Sequence, residues 1–268
     1  MSEKNTPRIA VVTGATSGIG FEVVRGLASS GWRVVGVGRS AERGLRMTEI
    51  LRAQTGNPSI SFHRADLALV KNALDAAQQI AQRYPKIDLL INNAGSIYQK
   101  REETTEGYER TFALNHLGYA AFTRGLRPAL EAVSGARIVN VASAAHWGAQ
   151  LDLDDLEMLK GRYKSWRQYQ RSKLMAILYT RALSRRLGGN VTANSLHPGF
   201  VATRFGSDNS RFWRFVMKLM MYTAISPQES AKGVLQVALS PEFAGVTGSY
   251  FDRGRPASPS AEAQNDAT

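Results

Sequence analysis

Tyr169 and Lys173 stand four positions apart. On a helix that spacing puts both side chains on one face. A phenol with a pKa of about 10 is a poor acid–base catalyst at neutral pH. A neighbouring ammonium favours the phenolate and lowers that value. Such pairs are frequent on helices, so this one counts only with its surroundings. Ser143 follows the apolar run Arg137–Val141 and would stand at that strand's carboxyl end. A serine there can hydrogen-bond a substrate oxygen and polarise a carbonyl, or it can cap a turn. Asn115 sits in an apolar helical stretch, where a polar residue makes a kink or a buried hydrogen bond. Near the start, Thr13-Gly14-Ala15-Thr16-Ser17-Gly18-Ile19-Gly20 could cradle a pyrophosphate. Glycines let the backbone approach closely, and the helix that follows offers unpaired N–H groups. A glycine-rich turn alone is often only a loop. Its place between a buried strand and a helix favours the ligand reading.

The elements that must hold these residues are legible as short apolar runs alternating with periodic stretches. Strands are predicted at Arg8–Thr13, Arg33–Val37, Ile60–Phe62, Ile87–Ile91, Arg137–Val141, Val191–Leu196 and Gly248–Phe251. Helices are predicted at Phe21–Ser30, Ala41–Thr55, Leu67–Arg83, Tyr108–Leu130, Trp166–Leu187 and Ser226–Ser240. This alternation implies an α/β fold: a Rossmann-type, doubly wound parallel sheet of about seven strands with helices on both faces. The 268 residues, 43% hydrophobic and 21% charged, suit one folded domain over 1–255. The small, polar stretch 256–268 is expected to be disordered.

The glycine spacing is Gly-x-x-x-Gly-x-Gly. Together with Asn92-Asn93-Ala94-Gly95, Ser143, Tyr169-x-x-x-Lys173 and Pro198-Gly199, it resembles the short-chain dehydrogenase/reductase family, from about Arg8 to Asp252. Ser143-Ala-Ala-His-Trp147, Tyr169-Gln-Arg-Ser-Lys173 and Gly248-Ser-Tyr-Phe-Asp252 resemble its retinol-dehydrogenase-like branch, which includes bacterial ketoreductases of bulky metabolites. The twenty-six positions between Ser143 and Tyr169 exceed the gap in compact members and also resemble that branch. The resemblance implies hydride transfer between a nicotinamide cofactor and an alcohol or carbonyl. Asn115, Ser143, Tyr169 and Lys173 would be the catalytic set, with a water held at Asn115. Gly14, Thr16, Ser17, Gly18, Ile19 and Gly20 would hold the cofactor, with Asp66 and Leu67 at its adenine. Asn93, Ala94 and Gly95 would lie along it, with Tyr169 and Lys173 at its ribose. Pro198, Gly199, Val201 and Thr203 would lie at its carboxamide and phosphate side.

The second strand ends at Gly38-Arg39-Ser40, with no acid to hold the ribose hydroxyls that NAD-selective enzymes grip. Arg39 can pair with a 2′-phosphate and Ser40 can add a hydrogen bond, so NADP(H) is the expected cofactor. A solvated surface arginine is the plainer reading of Arg39, and a helix N-cap that of Asp66. Ser172, one position from Lys173, reads as a helix-surface or packing residue. His146 could line the cleft or cap a loop, and the loop is favoured. Trp147 could stack on substrate or pack.

Residues 204–225 mix aromatics and methionines with Arg204, Arg211, Arg214 and Lys218. They suit a lid over an apolar substrate, peripheral contact with an anionic membrane, or ordinary packing. Thirty-four Lys and Arg against twenty-two Asp and Glu give a net charge of +12. No nucleic-acid module accompanies that charge, so no specific nucleic acid is expected. Zero cysteines exclude disulfides, thiolate metal sites and cysteine nucleophiles. No metal-binding spacing of His, Asp and Glu occurs, no eighteen-residue apolar run crosses a membrane, and Met1–Pro7 lacks a secretory core. A cytoplasmic oxidoreductase for a hydrophobic alcohol or carbonyl follows, with helices 108–130 and 166–187 as candidate homodimer faces. A non-catalytic NADP-binding sensor or scaffold is the alternative. The intact set of four argues against it.

Overall fold

Parallel strands whose residues are apolar on both faces can be stable only between two helical layers. Strand β1 (Ile9–Thr13) shows this directly: Ala10 and Val12 pack to one side and Val11 to the other. The computed structural model describes residues 7–200 and 225–265. It places β1 beside β2 (Arg33–Gly38), β3 (Ile60–Arg64), β4 (Leu89–Asn92), β5 (Ala136–Val141), β6 (Val191–His197), β7 (Tyr250–Asp252) and β8 (Arg255–Ala257) in the order 3-2-1-4-5-6-7-8. All neighbours are parallel except β7 and β8.

Helices α1 (Gly18–Ser29) and α2 (Ala41–Thr55) cover one face with α7 (Pro227–Leu239). Helices α3 (Val70–Arg83) and α5 (Gly118–Glu131) cover the other, where α6 (Ser165–Ser184) adds Leu183. Each core contains wholly buried side chains, Leu27 and Phe251 in the first, Phe122 and Leu126 in the second. Truncating such a phenylalanine to alanine costs about 3–5 kcal/mol.

Three expectations need correction. The long helix predicted over 108–130 is broken. Glu109 caps a short turn, α4 (Arg110–Phe112), a π-helical turn follows at Ala113–Leu117, and α5 begins only at Gly118. The extra residue in the π turn swings Asn115 inward. Helix α3 starts at Val70, not Leu67, because Glu106 supplies its missing partners: Val70 N donates to Oε2 at 2.6 Å and Lys71 N to Oε1 at 3.0 Å.

The tail predicted to be disordered from 256 is ordered through its described residues, to 265. Arg253 and Gly254 turn the chain with positive φ of 49° and 85°, and β8 pairs antiparallel to β7, giving an eighth strand. A short helix, α8 (Ala261–Gln264), follows, with Ser260 Oγ accepting from Ala263 N and Ala263 wholly buried. A backbone ladder and one buried methyl order this segment without the apolar run that sequence periodicity detects.

Candidate active site

The site forms where β1, β4 and β5 end. At the β1 exit, Gly14 has φ of +66°, and a Cβ there would come within 2.9 Å of Ala94 Cα. A Cβ on Gly20 would overlap the Gly14 carbonyl oxygen, so α1 can enter this close only with glycine at 20. Thr13 ties the β4 exit to this turn. Its Oγ1 accepts from the backbone N–H groups of Asn93 and Ala94, both at 3.0 Å. Asn93 Nδ2 answers by donating to the Thr13 carbonyl at 3.0 Å. Nothing in the sequence singles out Thr13; only the parallel register of β1 with β4 brings it to Asn93. Ser17 is the N-cap of α1 and makes no side-chain cap bond to the helix's first N–H groups, an end at which an anion is favoured.

On the other side the same β4 exit meets the catalytic candidates. A Cβ on Gly95 would stand 3.3 Å from Asn115 Oδ1 and 3.4 Å from Lys173 Nζ. Asn115 is buried and its amide is fully engaged. Oδ1 accepts from Ser96 N at 2.9 Å, while Nδ2 donates to Ser96 O and Ser172 Oγ, each at 2.9 Å. The buried-hydrogen-bond reading of Asn115 holds. Ser172 is wholly buried and passes the bond on to Tyr169 O at 2.7 Å, so its packing reading holds and its surface reading does not. Beneath them lies a buried ladder that sequence reasoning misses. Asn92 Nδ2 donates to Thr123 Oγ1 and Asn140 Oδ1, and Asn140 Nδ2 to Thr180 Oγ1. It fastens α5 and α6 to the centre of the sheet.

Ser143 and Tyr169 come together as expected, with a hydrogen bond between their side chains. Ser143 Oγ also accepts from Ala145 N at 3.1 Å, which leaves its proton to donate. Lys173 Nζ donates to the Val141 carbonyl at 2.9 Å and lies 5.7 Å from the centre of the Tyr169 ring. Burial holds the Lys173 ammonium down to about 8. Burial also pushes the Tyr169 phenol up to about 12, against the Ser143 hydrogen bond. The phenol is raised overall, against the net lowering expected from the ammonium. Desolvation dominates, and the lysine is turned to a backbone carbonyl.

His146 is a buried loop residue, the reading favoured from sequence: Nδ1 lies 2.7 Å from the Ser143 carbonyl, and Ser260 N donates to Nε2 at 3.1 Å. The inserted stretch is fastened to α6. Gln170 Nε2 donates to Trp147 O at 3.2 Å, and Arg171 donates to the carbonyls of Gln150 and Asp155 at 3.1 and 2.9 Å. Trp147 stays 55% exposed, with part of its ring against His146 at 5.3 Å between centroids.

At the β2 and β3 ends a cavity of about 420 Å³ is lined by Arg39, Arg64, Ala65, Asp66 and Asn72. Arg39 is exposed, with Nη1 donating to Tyr98 Oη at 3.4 Å. Arg64 Nε donates to the Arg39 carbonyl at 3.3 Å, a second cation that sequence reading misses. Ser40 Oγ is the N-cap of α2, accepting from Arg43 N at 3.3 Å. Asp66 is not the N-cap of α3. Its Oδ1 accepts from Ala68 N in the turn before the helix, and it faces the cavity. Two guanidiniums around this cavity and an open helix N-terminus at α1 fit a dinucleotide bearing a 2′-phosphate. Pro198 and Gly199 follow β6 directly, with Gly199 at φ of +92°. Val201, Thr203 and the segment 204–224 lie outside the described residues.

The family model for short chain dehydrogenases matches residues 8–154. Retinol dehydrogenase 13 of Mus musculus is 34% identical over 265 residues, covering 97% of this chain and 79% of that protein. A protein of Streptomyces sp. (strain C5), named for daunorubicin C-13 ketoreduction, is 34% identical over 250 residues, 92% of this chain and 84% of that protein. Among solved structures, a blue fluorescent protein from a metagenomic library, in complex with NADPH, superposes with a TM-score of 0.71 at 27% identity, over 91% of this chain and 95% of that one.

Proposed function

The chain belongs to the short-chain dehydrogenase family, on its retinol-dehydrogenase-like branch, and we propose that it is an NADP(H)-dependent oxidoreductase interconverting a hydrophobic alcohol and its aldehyde or ketone. The observation that carries this reading is one trio: half-buried Ser143 hydrogen-bonded to buried Tyr169, with buried Lys173 5.7 Å from the phenol ring. When bound, NADPH supplies the hydride. Ser143 Oγ and the Tyr169 hydroxyl meet the substrate oxygen and stabilise the charge that grows on it. Tyr169 is the general acid in reduction and the general base in oxidation. Lys173, close to Gly95 and Asn115, restores the tyrosine's proton and donates to the cofactor's ribose. Asn115 positions this end of α6 through Ser172.

Arg39 and Arg64, with no acid at the end of β2, support NADP(H) over NAD(H), as does the NADPH of the metagenomic relative. Thr16, Ser17, Gly18 and Ile19 take the pyrophosphate at α1, Asp66 and Leu67 the adenine, and Asn93 to Gly95 the intervening length. Exposed Trp147, Leu153 and Leu159 in the stretch before α6, and Trp166 5.7 Å from the Tyr169 ring, support an apolar substrate. The names of the two curated relatives, retinol and daunorubicin, agree with a bulky one. Among the described residues no helix is long and apolar enough to cross a membrane. The membrane and dimer readings rest on sequence alone.

The test is consumption of NADPH over a panel of apolar aldehydes and ketones, with Tyr169→Phe as the control. Turnover that vanishes in the variant supports the reading. Turnover that the variant keeps overturns the role of Tyr169. Tight NADPH binding with no turnover of any carbonyl returns the chain to a sensor or scaffold.

A further inference from the structure

His146 is wholly buried and lies between two backbone groups of fixed polarity. The Ser260 N–H can only donate, so Nε2, 3.1 Å away, must carry a lone pair. The neutral ring then holds its proton on Nδ1. That proton points to the Ser143 carbonyl, which can only accept, at 2.7 Å. One tautomer therefore satisfies both ends. The ring is wedged against Tyr250 and Trp147, at 5.2 and 5.3 Å between centroids. Behind it, Ala263 packs into the cluster of Ala142, Leu174, Ile177 and Tyr250. Two features thus meet on the catalytic loop: a histidine that reads as a loop residue in the sequence and a tail whose composition suggests disorder.

We propose that His146 is a positioning residue that couples the C-terminal segment 255–265 to Ser143, so that the tail braces the serine which polarises the substrate oxygen. This rests on the oxidoreductase reading for its catalytic consequence, though not for the brace itself. Ser143 is held at four points: its carbonyl by the His146 ring and, at 3.2 Å, by the His146 backbone N–H, its Oγ by Ala145 N, and its hydroxyl by Tyr169. Removing the first lets the serine backbone shift, and a displacement of about 1 Å can cost on the order of a hundredfold in rate. Burial keeps the His146 pKa below its ordinary value, so the neutral clamp persists at neutral pH.

Two substitutions at Ser260 separate the brace from folding. Its φ of −59° already suits proline. Ser260→Pro removes the N–H that His146 accepts, whereas Ser260→Ala removes only the side-chain cap on α8 and keeps that N–H. In the full-length protein, Ser260→Pro and His146→Phe should each lower kcat about ten- to a hundredfold with the NADPH KM unchanged. Ser260→Ala should stay near wild type. His146→Asn, whose amide can still donate to the Ser143 carbonyl, should recover much of the loss. Imidazole ¹⁵N shifts should show the Nδ1–H tautomer with a hydrogen-bonded Nε2 in the wild type, and an Nε2 without that bond in Ser260→Pro.

The Tyr169 ¹³Cζ shift reads the Ser143–Tyr169 bond without any substrate. It should move in Ser260→Pro and not in Ser260→Ala. An Nε2–H tautomer in the wild type, or a Tyr169 signal and kcat that respond equally to both Ser260 variants, overturns the brace. If no carbonyl is turned over while the Tyr169 signal follows the pattern, the oxidoreductase reading fails and the brace stands.

Discussion

The glycine turn and the catalytic cluster sit on either side of the same strand exit, Asn93–Gly95, yet they are built in opposite ways. The turn is contiguous in sequence and made of backbone. Gly14 and Gly20 matter because nothing larger fits against Ala94 and against the Gly14 carbonyl. The candidate catalytic cluster is made of side chains from three separate segments: Asn115 on a π turn, Ser143 and His146 on the turn after β5, and Tyr169 with Lys173 on α6, with the tail joined to it at His146. A backbone site needs only short-range geometry. A side-chain site needs the sheet register, a buried amide ladder and a C-terminal strap to bring its parts within bonding distance.

If that contrast is right, the two regions should fail differently. The largest effect is chemical. Tyr169→Phe should lower kcat by about a thousandfold and leave the unfolding midpoint and NADPH affinity nearly unchanged. A variant that also fails to bind NADPH would show the two regions to be one unit. Gly20→Ala should do the reverse. Overpacking against the Gly14 carbonyl should destabilise the fold by about 2–3 kcal/mol in urea and weaken dinucleotide binding together. A variant as stable as wild type would mean that the turn is not close-packed.

The third effect is of pH, in the cofactor-free protein. Burial lowers the Lys173 pKa from 10.5 to about 8, so the folded state binds fewer protons than the unfolded state between those values. Stability therefore rises with pH through that window, by about 2 kcal/mol from pH 8 to 10. The raised Tyr169 pKa offsets this only above about pH 10, where an unfolded tyrosine ionises. Lys173→Met should remove the rise, read as the difference between the two proteins' unfolding free energies at pH 8 and 10. An equal rise in both would assign it to other groups. The smallest effect is at the cavity by β2 and β3. Arg39→Ala should weaken NADPH binding about tenfold and leave NADH binding unchanged, because only the former carries a 2′-phosphate. Equal losses for both cofactors would make Arg39 a general anchor.

Much of the molecule is legible in its sequence. The strands from β1 to β7 are placed to within a few residues, because parallel strands buried on both faces are continuous apolar runs. Ser143, Tyr169 and Lys173 stand out by type and spacing, and they do gather. Less legible is whatever depends on two distant segments meeting. Thr13 meets Asn93 across a strand pair. Arg64 joins Arg39 only because β3 ends beside β2. Glu106 starts a helix thirty-six residues upstream of itself.

The chain alone determined the alternation of strand and helix, the places where only glycine serves, and the presence of a tyrosine and a lysine on one helical face. These are properties of neighbours in sequence, set by backbone sterics and side-chain period. Tertiary structure decided the rest: that Asn115 turns inward on a π turn, that burial raises the Tyr169 phenol, and that the C-terminal segment folds back onto His146. Each of these depends on which groups lose water and which distant backbone groups meet. Neither is a function of local sequence.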